Sequence, residues 1–182
     1  MSRIGKMPIA VPAGVTMEYK NKIVTVKGPK GTLTREVVGN IDVVIEEGNI
    51  LVKALDTLSE TNAKHGLYRA LIAGMVKGVT DGFETILDVK GVGWKVQVQG
   101  NKLIMNVGFS HPVEMVAPEG ITFACPSLTE ISVSGINKEV VGQTAANIRK
   151  VRLPEPYHGY GIRYRNEVVE HKEGKTSGKS KK

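Results

Sequence analysis

The chain has 182 residues, with 25 Lys and Arg against 18 Asp and Glu for a formal net charge of +7, and 41% of its residues are hydrophobic. That balance excludes a disordered polyelectrolyte and allows one or two domains with real cores. A single cysteine, Cys125, excludes an internal disulfide. No apolar run reaches the roughly 20 residues of a membrane span, and the basic opening Met1-Ser2-Arg3-Ile4-Gly5-Lys6 lacks the apolar stretch of a secretory signal. A soluble, cytoplasmic protein is expected. Aromatic residues make up only 5%, and the small apolar residues that replace them suit thin, strand-rich units.

In chain order, alternating runs over 15–20 and 23–27 flank a polar turn at Lys20-Asn21. Runs over 32–38, 41–46 and 50–55 follow, separated by the turn formers Gly39-Asn40 and Gly48-Asn49. Strands joined by such short turns are antiparallel. Ser59 and Thr61 are candidate caps for a helix reaching about Lys77, with Ala63, Leu67, Ala70, Leu71 and Gly74 as its apolar stripe. Gly78 to Gly82 then breaks the helical period and reads as a linker.

Strand patterns return over 84–90, 94–99, 103–108, 113–116, 121–125 and 131–134. A second helix is predicted over 137–149, with Val140, Val141, Thr144, Ala145 and Ile148 inward. The chain is in fact written twice. Asn21-Lys22-Ile23-Val24 recurs eighty positions on as Asn101-Lys102-Leu103-Ile104, and Gly28, Leu33 and Ile41 fall on Gly108, Val113 and Ile121. At a shift of 76, Gly66, Ala70, Ile72 and Met75 fall on Gly142, Ala146, Ile148 and Val151. Gly66 and Gly142 at matching helical positions suggest close packing of helix on sheet.

The predicted fold is α+β: two tandem duplicated domains, each a small antiparallel sheet covered by one helix. Their expected bounds are 1–81, with a basic N-terminal arm, and 82–152. A basic segment and flexible tail follow over 153–182. Trp94 and Cys125 read as core side chains, and Gly28-Pro29-Lys30-Gly31 reads as a hairpin turn that displays Lys30.

Charge is concentrated at the end. Residues 149–182 hold ten Lys or Arg against four Glu, whereas residues 1–148 hold fifteen bases and fourteen acids. Within Arg149 to Arg165, Pro154 ends the helix and Pro156 keeps the next turn extended. Gly159 and Gly161 allow close backbone approach, Tyr157, Tyr160 and Tyr164 can stack, and Arg163 and Arg165 can fork onto phosphate. Cations with rings, and no amphipathic basic helix, favour nucleic acid over a membrane surface. Phosphate-loop lookalikes fail. The required upstream glycines of Gly174-Lys175-Thr176 and Gly178-Lys179-Ser180 are Val169 and Glu173, and Val96 stands where a dinucleotide fingerprint after Gly91-Val92-Gly93 wants its third glycine. The four histidines, His65, His111, His158 and His171, have no paired spacing.

Pro154-Glu155-Pro156-Tyr157 followed by Gly159, Gly161 and Ile162, with Ser2-Arg3-Ile4-Gly5-Lys6 and Pro8-Ile9 at the start, resembles the bacterial large-subunit ribosomal protein L-six family over the whole chain. That family usually carries lysine where this chain has His158 and Tyr160. The resemblance implies a non-enzymatic protein without cofactor, metal or small-molecule substrate. It implies binding to large-subunit rRNA near the stalk base and the translation-factor region, beside neighbouring large-subunit ribosomal proteins. The expected rRNA contacts are Arg149, Lys150, Arg152, Tyr157, His158, Gly159, Tyr160, Gly161, Arg163, Tyr164 and Arg165, with Ser2, Arg3 and Lys6 as a second, shorter contact. The alternative is a free RNA-binding regulator using the same surface.

Overall fold

The computed structural model describes residues 2–46 and 48–175. The chain forms two compact units. One runs to Phe83 and takes in Gly135–Lys138; the other comprises Glu84–Ser134 and the chain from Glu139 onward.

The first unit contains β1 (Ile9–Ala10), β2 (Thr16–Lys20), β3 (Ile23–Gly28), β4 (Gly31–Glu36), β5 (Ile41–Glu46), β6 (Asn49–Ala54) and α1 (Ser59–Thr80). Strands β2-β3-β4 and β1-β6-β5 form two antiparallel three-stranded sheets, and α1 lies against β3, β4, β5 and β6. The second unit continues with β7 (Phe83–Lys90), β8 (Lys95–Gln99), β9 (Lys102–Asn106), β10 (Val113–Val116), β11 (Ile121–Ser127), β12 (Glu130–Gly135), α2 (Lys138–Val151) and β13 (Gly161–Tyr164). Its sheets are β10-β9-β8 and β11-β12-β7-β13. The architecture is α+β and duplicated, with two sheets per copy where the pattern predicts one.

The β2–β3 turn lies at Asn21-Lys22, one residue later than the polarity pattern indicates. Both residues have positive φ, 52° and 61°, as a type I′ loop requires to match the strand twist. This displaces the repeat as well. Buried Val24 and Val26 of β3 correspond to buried Leu103 and Met105 of β9, so the match of Asn21-Lys22-Ile23-Val24 to Asn101-Lys102-Leu103-Ile104 is out by one position. In a strand, that single step exchanges the two faces. Further on, Leu33 and Val113 do coincide, each paired with the counterpart core residue, Val26 or Met105.

On α1 the buried residues are Thr61, His65, Tyr68, Ile72, Val76, Gly78 and Val79. Ala63, Leu67 and Ala70 are exposed, which corrects the predicted stripe. Two polar-tipped rings occupy the core face, each with a partner for one polar atom, while His65 Nδ1 is buried without one among the described residues. The Tyr68 hydroxyl accepts the Val38 N–H at 2.8 Å, and His65 Nε2 lies 2.8 Å from the Val52 carbonyl oxygen. On α2 the buried set is Val141, Thr144, Ala145 and Ile148, as predicted except that Val140 is half-buried.

Neither Ser59 nor Thr61 caps α1. Its N-cap is Leu58, without a side-chain cap bond, and Asp56 accepts the Leu58 N–H at 3.1 Å from just outside the helix. The helix also continues through most of the predicted linker. Gly78 sits inside it because a Cβ there would overlap the Ile136 carbonyl, so the tight packing falls on Gly78. Gly66 approaches Ser2 of the N-terminal arm rather than a sheet, and Gly142 is exposed with nothing near it. Lys30 turns onto the end of α1, where its ammonium donates to the Asp81 carbonyl.

In sheet order β5-β6-β1 corresponds to β11-β12-β7, which leaves β13 without a counterpart among the described residues of the first unit. The second copy is therefore the first plus one strand, and that strand is made from the basic segment.

The glycines give a paired test. Gly78→Ala forces a methyl into packed backbone and should lower unfolding stability by about 1–3 kcal/mol. Gly142→Ala only removes the helical penalty of glycine and should raise it by up to about 1 kcal/mol. Urea denaturation of both variants checks this, and shifts of the same sign would contradict the packing described.

Candidate nucleic-acid interface

Helix α2 ends at Val151, and Pro154 prevents its continuation. The chain then closes a loop. Glu155 N–H donates to the Tyr160 carbonyl at 2.9 Å, and Ile162 N–H donates to the Arg152 carbonyl at 2.8 Å. From there β13 runs antiparallel to β7, pairing Gly161 with Lys90 and Tyr164 with Leu87, and Ile162 is fully buried. The close approach that Gly159 and Gly161 permit is to the protein's own chain. Both have positive φ, and a Cβ on Gly161 would overlap Pro154 while one on Gly159 would press on the His171 ring.

The arginines divide by partner. Arg149 forks onto Glu167, with Nε donating to Oε2 at 2.9 Å and Nη2 to Oε1, and its guanidinium lies 5.8 Å from the Tyr164 ring centre. The same carboxylate accepts the Tyr164 N–H at 3.0 Å. Arg165 pairs with Glu130 and with Asp88 at 3.7 Å. Arg163 is half-buried, and its Nε has no hydrogen-bond partner. Arg152 is exposed and rests on rings, 5.9 Å from the centre of Trp94 and 5.2 Å from that of Phe109. Lys150 is exposed.

The rings of His158 and Tyr160 stack, with centres 5.4 Å apart and planes 15° from parallel, and His158 Nδ1 lies 3.3 Å from Glu155 Oε1. Tyr157 is 54% exposed. The chain beyond β13 returns over this loop, with Lys172 N–H donating to the Pro156 carbonyl at 2.8 Å. Of the predicted contacts in this segment, Lys150, Arg152, Tyr157, His158 and Tyr160 are exposed, with no acid partner on Lys150 or Arg152 among the described residues, and Arg163 is half-buried. Arg149, Arg165, Gly159, Gly161 and Tyr164 are engaged within the protein itself. Residues 176–182, the end of the lysine tail and of both phosphate-loop lookalikes, lie outside the described residues.

Ser2, Arg3 and Lys6 belong to the first unit. Their arm is a turn docked on α1. Ser2 Oγ accepts the Gly5 N–H at 3.3 Å, Gly5 lies against the His65 ring, and Arg69 donates to the carbonyls of Met7 and Pro8 at 3.2 and 3.3 Å. Arg3 and Lys6 are exposed.

Sequence reasoning did not bring Trp94 and Phe109 to this segment. Trp94 is half-buried and lies flat on Gly91, with its edge against Gly108, so it is a surface ring under Arg152 and not a core side chain. A signal was available, since residues 89–113 contain Lys90, Lys95, Lys102 and His111 but no acid. Cys125 is likewise half-buried, and burial pushes its thiol pKa up.

The fold and this face define a duplicated α+β protein with a cationic, ring-bearing edge on its second copy. The chain belongs to the ribosomal protein L6 family, whose model matches residues 11–82 and 90–165, one stretch for each copy. The large ribosomal subunit protein uL6 of Syntrophomonas wolfei is 52% identical over 179 residues, covering 98% of this chain and 100% of that one. The Clostridium kluyveri protein of that name is 51% identical over 180 residues with the same coverage, and the Synechococcus elongatus protein is 52% identical over 179 residues. The family is one of structural, non-enzymatic proteins.

The Arg149–Glu167 pair carries a pH signature. The hydrogen bond from Arg149 above all holds the Glu167 carboxyl below its ordinary range, against an upward push from burial, with the Tyr164 N–H and the charges of Arg149 and Arg163 adding. A carboxyl depressed in the folded state stabilises the fold above its unfolded pKa, about 4.3 for Glu, and that contribution is lost as pH falls through the lower folded value. Glu167→Gln should therefore destabilise the protein at neutral pH, by a margin that shrinks as the solution is acidified below about pH 4. Urea midpoints of both proteins across that range measure it, and a margin independent of pH would contradict the pairing.

Proposed function

We propose that this chain is a structural constituent of the large ribosomal subunit that binds large-subunit rRNA and helps order its fold near the stalk base and the translation-factor region. The observation that carries the reading is identity of about half over 98% of the chain to proteins named for that subunit. The contact surface is the end of the second unit, with Lys150, Arg152, Arg163, Tyr157, His158 and Tyr160 meeting RNA. Arg149, Arg165, Tyr164, Gly159 and Gly161 serve it by holding the loop. Exposed Arg3 and Lys6, beside Ser2, form a second contact on the first unit. The domain bounds are taken as 1–81 and 82–152, with 153–182 as the RNA-binding segment, whose β13 completes a sheet of the second unit. Neighbouring large-subunit proteins are its other partners, and the cytoplasmic ribosome is its place.

The physics of such a surface is backbone and shape recognition. A-form grooves hide most base edges, and lysine or arginine contacts to phosphate release counterions. His158 and Tyr160 supply a stacked pair where the family usually has two lysines, which exchanges point charge for a flat polar ring surface.

The test is cosedimentation of the purified chain with large subunits lacking it. The chain should enter the subunit peak, whereas retention in the light fractions would point to the free regulator instead. Neutralising Lys150 and Arg152 together should flatten the salt dependence of binding by about 0.7 to 0.9 for each phosphate that these side chains neutralise. An unchanged slope would move the binding surface elsewhere.

A further inference from the structure

At the end of the second unit, two loops bring rings to Arg152. The β7–β8 turn, residues 91–94, lays Trp94 on the Gly91 backbone, and the loop between β9 and β10 presents Phe109, 42% exposed. Arg152 lies within cation–π reach of both rings. It forms no ion pair with an acid among the described residues, unlike Arg149 and Arg165. Exposed Lys90 and Lys95 flank the turn. A Cβ on Gly91 would overlap the Trp94 ring, and one on Gly108 would press on its edge.

We infer that Arg152, Phe109 and Trp94 form a binding site for one unpaired nucleotide of an RNA strand. The base stacks on Phe109 beside the guanidinium, and the free N–H edge of Arg152 takes an adjacent phosphate.

The chemistry excludes plainer uses of the same atoms. A guanidinium needed only for long-range attraction would gain nothing from being held beside two rings. Arg149 and Arg165, which serve the fold in the same segment, meet carboxylates, and Arg152 meets rings instead. A phenyl ring left nearly half exposed at a loop offers a π-face, and every base has one to match. The cations and the absence of acids over 89–113 select a polyanion over an acidic peptide, because consecutive phosphates flank any stacked base. This site rests on the RNA-binding reading above and adds to it a requirement for an unpaired base.

Trp94 is the only tryptophan of the chain, so its fluorescence reports on this site alone. The experiment titrates the full chain with two RNA hairpins of equal length and charge, one fully paired and one carrying a single bulged purine. The bulged hairpin should bind more tightly and quench Trp94. Phe109→Ala and Arg152→Lys should each lower the preference for the bulged hairpin over the paired one on the order of tenfold. Arg152→Lys keeps the charge and removes only the flat surface, so it decides the matter even where Phe109→Ala folds poorly. Equal affinity of the unaltered chain for both hairpins, or equal weakening on both in the variants, would overturn the stacking site while leaving RNA binding intact. Failure of the unaltered chain to bind either hairpin would overturn the RNA-binding reading itself.

Discussion

Ile162 is fully buried in the second unit, and pairings of β13 to β7 on either side of it hold it there. Burying such a side chain contributes about 1.5–3 kcal/mol, and its position converts a charged chain end into the edge of a sheet. The return is possible because Pro154 stops α2 and Gly161 passes against Pro154 where no Cβ fits. Tyr157, His158 and Tyr160 lie in the loop that this return closes, and Arg152 is hydrogen-bonded through its carbonyl to Ile162. Without β13 those side chains would sit on a loose terminus, and binding would carry the entropy of ordering it.

Electrostatics then sorts the cations. Carboxylates hold Arg149 and Arg165, so these side chains are oriented and partly neutralised before any partner arrives. Rings hold Arg152, which leaves its charge available. Residues of one type, a few positions apart, thus have different roles because different groups face them across the fold. For the proposed contact, the ring surfaces of Phe109 with Arg152 and of His158 with Tyr160 suit the π-faces of unpaired bases better than the grooves of a duplex.

Much was legible from residue order. The duplication, the α+β class, the inward face of α2 and the concentration of charge at the end all appear in the pattern, because alternation and helical spacing reflect which face meets a core. The misreadings have physical causes. The stripe of α1 was misassigned because Tyr68 and His65 count as polar, yet bury their rings with the Tyr68 hydroxyl and His65 Nε2 each at a backbone partner. Gly66 and Gly142 drew attention by matching across the repeat, whereas the close contact is at Gly78, whose neighbour Ile136 is 58 positions away in the chain. The match at Asn21 is out by one because turn length, and not residue identity, sets register.

The sequence by itself determined the repeated strand and helix pattern, the family resemblance and the basic end, since these depend on local spacing, composition and motif. Only the tertiary structure decided that the basic end is a fourth strand, that two of its arginines are occupied by acids, and that Arg152 is supported by rings from two distant loops. Each of those outcomes depends on a partner far away in the chain. Glu130 lies 35 positions from Arg165, and Trp94 and Phe109 lie further still from Arg152. The energy of an ion pair or a ring contact depends on a separation of a few ångströms, which residue order fixes only through the completed fold.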